Sequence, residues 1–455
     1  MRQLKSSSSS SSNAFSCFRH SFLEILYLSI CLLLNITYGN GFEPLIQLPS
    51  SGLSTNTSSR SRTVLFNIDD FGAKGDGITD DTKILQDVWK VACSSSSPAK
   101  IIIPAGNSYL VKPIDFPGPC QSNVTLRVSG ILVAPQDPEV WDGLNVHKWL
   151  YFHGVKQLTI EGGGMIDGRG HKWWARSCKT NESNAVTFHK CKNLKVRNVA
   201  LVNSQQMHMA FTNCMHVAAS GVTVIAPADS PNTDGIHIST TTHVELKNVV
   251  VGTGDDCISI VGNSSQIRIK NIVCGPGHGI SIGSLGKYNT SAAVQDVIVD
   301  GAVLFNTENG VRIKTWQGGS GFARKITFQN ILMRNVSNPI IIDQYYCDSP
   351  APCLNQTSAV HIDSVSFRNI KGTSETEGAV MFLCSDSYPC RRLYLENIEL
   401  FWSSGVAKSF CWESYGTTSG LISPPSCIPS DDNVIRNNNS NSSSTSLQKD
   451  DHAFI

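Results

Sequence analysis

The sequence predicts an all-β protein built as a parallel β-helix, a solenoid in which short strands wind through stacked coils. Two repeats, each about as long as one coil, predict this fold, and the composition agrees with it. Charged residues make up only 16% of the 455 positions, well below the usual quarter. Gly, Ser, Asn and Thr take their place, which favours β structure with many turns over long surface helices.

The first repeat is a short strand that ends on asparagine. Between about residues 155 and 400, segments of alternating apolar and polar residues close on an Asn, which is a turn former. Asn248 and Asn271 lie 23 positions apart, and several other steps lie between 23 and 30. The asparagines of this repeat are Asn198, Asn248, Asn271, Asn330 and Asn369.

The second repeat has a constant step of 22 residues, and it carries Asp234, Asp256 and His278 two positions before successive Ile-X-Ile strands. The alternative fold, an antiparallel β-sandwich, has strands that recur roughly every 8–12 residues through hairpins. Neighbouring coils of a solenoid lie ~4.8 Å apart. We therefore expect these three side chains to form a ladder, with the outer members roughly 10 Å apart.

Strand parity indicates which side chains face a groove. Ile236 and Ile238 share the core face, so His237 and its equivalents in later coils point the other way. These equivalents are Ser259, Ser281 and Arg312, and Lys314, two residues after Arg312, points the same way. Asp234 has the parity of the core isoleucines, and it avoids the core only if the strand starts after it. Glycines at the same column favour such a turn or bulge, and they are Gly235, Gly279 and Gly310.

The clustered carboxylates predict acid–base chemistry, because Asp255 enters the ladder beside Asp256. Crowded carboxylates raise the pKa of one member, which then keeps its proton while its neighbours are ionised. Glycoside hydrolysis requires that division between an acid for the leaving oxygen and a base for water. Arg312 and Lys314 add positive charge, which either forms salt bridges with the acids or holds an acidic substrate.

The chain ends differ in composition from the repeats. Basic residues before an apolar run from Ile25 to Ile36 predict a secretory signal over residues 1–39, with an uncleaved anchor as the alternative. Residues 40–65 read as a flexible leader, 66–428 as a single β-helix domain, and 429–455 as a disordered Asn/Ser-rich tail. Helical spacing of apolar residues from Asp80 to Val91 predicts a helix that caps one end of the solenoid.

The cysteines agree with export. Of 15 cysteines, 13 follow the predicted signal, and exported proteins with many cysteines usually form disulfides. The candidate pairs are Cys93/Cys120, Cys257/Cys274, Cys347/Cys353, Cys384/Cys390 and Cys411/Cys427. Cys191 and Cys214 lie one coil apart and fit stacked core thiols instead of a bridge. No Cys-X-X-Cys pair with zinc spacing is present, so we expect no structural metal.

The charge balance narrows the class of partner. The chain has 37 Lys and Arg against 36 Asp and Glu, a formal charge of +1. This balance excludes a globally basic nucleic-acid binder. No second long apolar stretch follows the signal, so we expect no membrane partner once the signal is removed.

Four short motifs contain the candidate residues. They are Ser230–Gly235, Gly254–Cys257, Cys274–Gly279 and Arg312–Lys314. In order and spacing they resemble the signature of the polygalacturonases, glycoside hydrolase family 28. Two further segments, Asp69–Gly77 and Ile166–Gly170, look like N-terminal motifs of the plant branch of that family. The similarity covers roughly residues 66–428, the whole predicted β-helix domain.

The resemblance implies a right-handed parallel β-helix that hydrolyses α-1,4 bonds between galacturonic acids in homogalacturonan, which is de-esterified pectin, with inversion. It implies that Asp255 is the general acid, that Asp234 and Asp256 activate water, and that His278 maintains the protonation of the acid. The residues it implies for substrate binding are Asn232, Arg312, Lys314 and Tyr346, with Tyr345 as the alternative tyrosine. It implies no metal or organic cofactor and a monomer secreted to the plant cell wall.

Other functions remain open from the sequence. A related pectic backbone, rhamnogalacturonan or xylogalacturonan, is the first alternative substrate. A pectate lyase on the same fold is a second possibility, although its calcium site and arginine base resemble this ladder poorly. A non-catalytic pectin-binding β-helix is the third alternative, and the intact acids argue against it.

Overall fold

The computed structural model describes residues 62–144, 148–175, 184–349 and 353–429. These residues belong to one compact unit and form stacked coils of short strands, as the repeats predict. The predicted signal, nearly all of the leader, the tail from residue 430 and Cys178 lie outside the described residues. The first strand begins at Val64, two residues before the predicted domain start, because it pairs with the strand that begins at Ala99.

The described elements are mostly strands. The strands, in chain order, are β1 Val64–Asn67, β2 Asp76–Asp80, β3 Ala99–Ile103, β4 Ser108–Leu110, β5 Ile114–Pro117, β6 Val124–Val128, β7 Ile131–Val133, β8 Lys148–His153, β9 Leu158–Glu161, β10 Met165–Asp167, β11 Asn184–His189, β12 Lys192–Arg197, β13 Ala200–Val202, β14 Met209–Thr212, β15 Met215–Ser220, β16 Thr223–Ile225, β17 Ile236–Ser239, β18 Thr242–Gly252, β19 Ile258–Ile260, β20 Ser264–Cys274, β21 Ile280–Leu285, β22 Ser291–Phe305, β23 Asn309–Thr315, β24 Ser320–Val336, β25 Asn338–Asp343, β26 His361–Ser374, β27 Gly378–Leu383, β28 Cys390–Trp402, β29 Lys408–Trp412 and β30 Ser414–Ser423. The helices are α1 Thr82–Cys93 and α2 His171–Trp174, with 3-10 turns at Ile68–Phe71, Pro138–Trp141 and Lys287–Asn289.

The strands form two sheets that run the length of the solenoid. The smaller sheet has eleven described strands, β5, β8, β11, β14, β17, β19, β21, β23, β25, β27 and β29, and the other nineteen form the larger sheet. The strands pair in parallel with the next coil. This arrangement confirms the predicted parallel solenoid and excludes the antiparallel sandwich.

The core between the sheets is built from stacked identical or similar side chains. Ile236, Ile258, Ile280 and Val311 follow one another in register on the smaller sheet and are fully buried. Nearer the N-terminal end, four phenylalanine rings stack at centroid distances of 4.4, 5.3 and 5.4 Å, and they are Phe116, Phe152, Phe188 and Phe211. Repetition at the coil period therefore keeps an apolar column continuous, which burial stabilises.

The asparagine repeat marks a bend in the larger sheet. All five predicted asparagines have φ between 49° and 58°, a left-handed conformation that Asn tolerates better than other side-chain-bearing residues. Their side chains also bond along the stack: Asn271 Nδ2 donates to Asn248 Oδ1 at 3.1 Å, and Asn369 donates to Asn330 at 3.1 Å. Backbone conformation and amide pairing together explain why Asn recurs here.

Helix α1 covers one end of the coils, as predicted, but it begins two residues later than expected. Asp80 still belongs to β2, and Asp81 takes the N-cap position of the helix. The apolar side of α1 is buried through Leu85, Val88, Trp89 and Ala92. The Trp89 indole donates to the Pro117 carbonyl at 3.1 Å. The helix thus covers backbone edges that exposed coil ends leave unpaired.

All five predicted disulfides are present. Cys191 and Cys214 are free and buried in adjacent coils, which confirms the stacked thiols. Disulfides of this number are typical of proteins that fold in an oxidising compartment. Among the described residues, no helix is long and apolar enough to cross a membrane.

Candidate active site

The predicted ladder lies at one edge of the smaller sheet. Strands β17, β19 and β21 begin at Ile236, Ile258 and Ile280, so Asp234, Asp256 and His278 precede their strands by two residues. This confirms that the ladder sits on the turn before the sheet instead of in the core. The groove face is also as predicted, because His237, Ser259, Ser281 and Arg312 are aligned across four strands.

The glycines of this edge act in two different ways. Gly279 has φ of +87°, and a Cβ there would lie 2.1 Å from the Asn309 carbonyl oxygen, so it meets both the turn and the packing requirement. Gly235 and Gly310 have no positive φ. A Cβ at Gly235 would lie 2.5 Å from Val251, and one at Gly310 would lie 2.2 Å from a backbone carbonyl. Gly235 lies in a bend immediately before β17, as predicted, whereas Gly310 lies inside β23, so the prediction of a turn is wrong for Gly310. At both positions the neighbouring coils leave no space for a side chain.

One cavity of about 510 Å³ brings the candidate residues together in front of the sheet. All eight line it: Asn232, Asp234, Asp255, Asp256, His278, Arg312, Lys314 and Tyr346. The residues at the floor of this cavity are more deeply buried than those of a water-filled cleft would be. Asp234 is 7% exposed, Asp256 2%, and Lys314 7%. Charges at this depth require partners, and the cavity supplies them.

Asp255 is paired with His278 from the next coil. His278 Nδ1 lies 3.1 Å from Asp255 Oδ1, and the His278 backbone N–H donates to the Asp255 carbonyl at 2.8 Å. On its other side, His278 Nε2 lies 3.3 Å from Glu308 Oε2. The hydrogen bond to Asp255 raises the pKa of His278 against the opposing effect of burial, and the charges of Asp255 and Glu308 add to the increase.

Asp256 is the most strongly neutralised acid. Its Oδ1 accepts from Arg312 Nη2 at 2.9 Å and from the Ser281 hydroxyl at 2.6 Å, and its Oδ2 accepts from Lys314 Nζ at 2.9 Å. Burial by itself raises the pKa of Asp256, but Lys314 and Arg312 outweigh burial, so the pKa is held below its ordinary value. Asp256 is therefore ionised, as charge pairing predicts.

Asp234 has the opposite electrostatic environment. Its Oδ2 accepts from the Ser259 hydroxyl at 2.7 Å, and His237 Nδ1 lies 3.9 Å from the same oxygen. Burial, reinforced by the charge of Asp255, raises the pKa of Asp234. The predicted splitting of carboxyl pKa values is thus present, with Asp234 and Asp256 displaced in opposite directions.

Asn232 and Tyr346 lie at the mouth of the cavity. Asn232 has φ of 54°, which places it in a left-handed turn beside Asp234. The Tyr346 ring centroid is 5.3 Å from Lys314 Nζ and 5.8 Å from the Trp316 ring. The alternative tyrosine, Tyr345, does not line the cavity, and its hydroxyl accepts from the Asp386 backbone N–H at 3.2 Å. Of the two tyrosines, the structure brings Tyr346 to the acids.

Two other histidines near the site differ in their surroundings. His237 lines the cavity, and its Nδ1 lies 2.8 Å from the Ser259 hydroxyl. His208 is fully buried, where it bonds the Asp234 carbonyl through Nδ1 at 3.1 Å. Burial lowers the pKa of His208 to about 4, so it stays neutral and supports the backbone.

Three residues of the site had no assigned role in the sequence. Ser259 and Ser281 each donate to a carboxylate of the preceding coil, and Glu308 flanks His278. The sequence pattern could have indicated the serines, since each occupies the groove-facing position between two core isoleucines. Glu308 precedes β23 on an irregular turn, and its contact depends on the length of the preceding loop, which no periodicity reveals.

Part of the acid cluster also has the residue types of a metal site. Ligand atoms of Asp255, Asp256 and His278 lie within 4.8 Å of one another. Arg312 and Lys314 already bond both carboxylate oxygens of Asp256. A cation placed there would have to displace or approach these two positive groups, which disfavours metal binding.

Comparisons with known proteins show the family of the chain. Residues 93–417 match the family model "Glycosyl hydrolases family 28", and the chain belongs to that family. A "probable polygalacturonase" of Arabidopsis thaliana is 56% identical over 86% of this chain and 90% of its own length. A polygalacturonase of Persea americana is 50% identical over 80% of each chain.

Solved structures share the fold. A polygalacturonase from Erwinia carotovora ssp. carotovora superposes with a TM-score of 0.62 at 20% identity, covering 82% of this chain and all of that one. At this identity the likeness supports the solenoid architecture alone.

Proposed function

We propose that this protein hydrolyses α-1,4-galacturonosyl linkages in homogalacturonan and acts in the remodelling or degradation of pectin. The observation that carries the proposal is the meeting of three carboxylates with Arg312 and Lys314 in one open cavity. Carboxylates supply acid and base, and the cations suit a substrate that bears a carboxylate on every sugar. Membership of the family and the names of the plant relatives support the same substrate.

Asp255 is assigned as the general acid and Asp234 with Asp256 as the groups that activate water. The charge of Asp255 contributes to the raised pKa of Asp234. A general acid enters the reaction with its proton, and in that state Asp255 exerts no such repulsion on Asp234. Asp256 remains anionic beside its cations. Such a division permits protonation of the leaving oxygen and attack by water with inversion.

His278 is assigned to hold Asp255 in its working orientation and protonation state. Asn232, Tyr346 and the two cations are assigned to substrate binding. Arg312 uses Nε for Ser281 and Nη2 for Asp256, at 3.0 and 2.9 Å, and a guanidinium has five N–H donors. Lys314 likewise has three donors. The salt bridges with Asp256 therefore do not use up the capacity to bind a substrate carboxylate.

Product analysis on polygalacturonate tests the proposal. We expect new reducing ends without the near-ultraviolet absorbance of unsaturated products, and NMR of the first product should show inverted anomeric configuration. Unsaturated ends would indicate a lyase. If no pectic polymer gives any product, the protein would be a non-catalytic pectin-binding protein. Faster cleavage of rhamnogalacturonan or xylogalacturonan than of homogalacturonan would assign another backbone.

Asp255→Asn tests the general acid. We expect folding to be retained and kcat on polygalacturonate to fall roughly 10²–10⁴-fold, as loss of positioned proton transfer does. Asp142→Asn is the control, because Asp142 is an exposed acid that does not line the cavity. Turnover of the Asp255 variant close to that of the control would contradict the assignment.

We also propose that the protein is secreted to the plant cell wall and works as a monomer on polymeric pectin. The five disulfides support an oxidising destination. The apolar run of the N-terminal segment supports export through a signal. The near-balanced formal charge of +1 supports a partner other than nucleic acid.

A further inference from the structure

A second cavity, of about 660 Å³, lies on the larger sheet and shares no residue with the cavity of the acids. It is formed where β24, β26 and β28 begin and by the short loop that the Cys384–Cys390 disulfide closes. Charged and aromatic residues that line it are Phe322, Arg324, His361, Asp363, Tyr388 and Arg391. We call this group, together with Arg392, the arginine cavity.

The arginine cavity has an excess of positive charge. Arg324 stands opposite Asp363, and Asp363 stands opposite Arg391, in successive strands. On the strand spacing of ~4.8 Å, the two arginines are roughly 10 Å apart along the solenoid. The single carboxylate between them is already bonded by the Arg392 guanidinium. Within the described part of the chain, neither Arg324 nor Arg391 forms an ion pair.

Neutral neighbours hold the Arg324 guanidinium in place, and a neutral ring lies near that of Arg391. Arg324 donates through Nε and Nη2 to Gln295 Oε1 at 3.1 and 2.9 Å, and its Cζ lies 4.1 Å from the Phe322 ring centroid. Arg391 Cζ lies 5.5 Å from the Tyr415 ring centroid. An ordered guanidinium with a neutral partner loses little entropy on binding and suits planar carboxylates.

Aromatic surface accompanies the charge. The His361 and Tyr388 rings lie 4.3 Å apart and both line the arginine cavity. The acid of the disulfide loop, Asp386, does not line the arginine cavity and accepts a hydrogen bond from the Trp412 indole at 2.9 Å. Arginines beside aromatic rings match a ligand that has carboxylates together with the apolar faces of sugar rings.

We propose that the arginine cavity is a second binding site for the uronate polymer, outside the catalytic cavity and without catalytic groups of its own. This proposal rests on the proposed function, since it takes the same acidic polysaccharide as its ligand. A polymer held at both sites gains effective concentration at the acids, whereas an oligomer that fills only the catalytic cavity gains nothing. The second site therefore acts on long chains alone.

The test compares Arg324→Ala/Arg391→Ala with Lys195→Ala/Lys270→Ala. The control removes two positive charges from exposed positions on the same larger sheet, away from the arginine cavity. Arg392 is left in place because it neutralises Asp363. For the arginine variant we expect a roughly tenfold higher KM on long polygalacturonate, a kcat/KM on a galacturonate pentamer within about twofold of wild type, and an unchanged melting temperature. The difference between polymer and pentamer should shrink at high salt.

Four results would overturn the proposal. If the arginine variant has an unchanged KM on the polymer, the cavity does not bind it. If the lysine control shows the same rise in KM, the effect is one of general charge, and if the arginine variant loses as much activity on the pentamer, the effect lies in the catalytic cavity. Competition by polyglutamate as strong as by polygalacturonate would make the cavity a site for an acidic protein. If the wild-type protein cleaves neither substrate, the proposed function fails. Binding at the second site can still be tested by electrophoresis in a gel that contains polygalacturonate, where the proposal predicts retarded migration of the wild type but not of the arginine variant.

Discussion

Asp256 is buried because two cations are buried with it. Arg312 is 8% exposed and Lys314 7%, and each bonds a different oxygen of the carboxylate. A buried acid with one cation removed keeps an uncompensated charge or takes up a proton. The ion pairs therefore keep Asp256 ionised, and Arg312 and Lys314 still have N–H donors left for the substrate.

Lys314→Met tests this coupling. Without the ammonium group the pKa of Asp256 rises, because Lys314 is the largest of the effects that lower it. If Asp256 acts as a base, the acidic limb of the kcat profile should move to higher pH, and kcat at the optimum should fall roughly 10²-fold. A variant with a higher KM and an unchanged pH profile would assign Lys314 to substrate binding alone.

Glu308→Gln tests the environment of His278. The change keeps hydrogen-bonding capacity and removes the charge 3.3 Å from Nε2, so the pKa of His278 should fall. The alkaline limb of the activity profile should then move to lower pH, with kcat at the optimum within about threefold of wild type. Glu245→Gln, an exposed acid outside the cavity, is the control. An unmoved alkaline limb would mean that Asp255 alone governs the imidazole.

At the scale of the single coil, backbone conformation and side-chain pairing act on the same residues. The asparagine bend was readable from sequence because both requirements, a positive φ and an amide that pairs with the next coil, select the same residue type. The start of α1 was misplaced because Asp80 and Asp81 are equally suited to a helix start, and only the pairing of β2 with β4 assigns Asp80 to a strand.

Asn369 allows the two contributions at the bend to be separated. It donates to Asn330 and accepts from Asn397, each at 3.1 Å, at φ of 51°. Asn369→Ala should lower the free energy of unfolding by about 1–2 kcal/mol, and Asn369→Gly by less, because glycine adopts this φ without strain. Urea unfolding of the two variants measures the difference. Equal losses would assign the stability to the amide bonds instead of the backbone.

At the scale of the molecule, the described solenoid is tied at several points along its length. The Cys93–Cys120 disulfide fixes the end of α1 to the coil that follows it, far along the chain from the acids. The predicted signal, leader and tail lie outside the described residues, so their processing stays a prediction.

Cys93→Ser/Cys120→Ser tests whether the cap matters to the whole fold. The bridge closes a segment with a sequence separation of 27, and its removal should lower the free energy of unfolding by about 2–4 kcal/mol. At a temperature where the variant stays folded, its kcat should equal that of wild type because the cap is remote from the catalytic cavity. Thermal melting and turnover assays measure the two effects. A kcat loss without a lower melting temperature would show that the cap acts on the site.

The sequence alone was sufficient for the solenoid and for the meeting of Asp234, Asp256 and His278, because backbone hydrogen bonding between coils converts a fixed sequence period into spatial alignment. The disulfide pairs were readable because their cysteines lie only 6 to 27 positions apart in the chain. Only the tertiary structure assigned Glu308 to His278, gave Asp234 and Asp256 opposite pKa displacements, selected Tyr346 over Tyr345 and formed the arginine cavity. Those features depend on loop lengths, burial and side-chain directions between coils, and none of these repeats with the period of the chain.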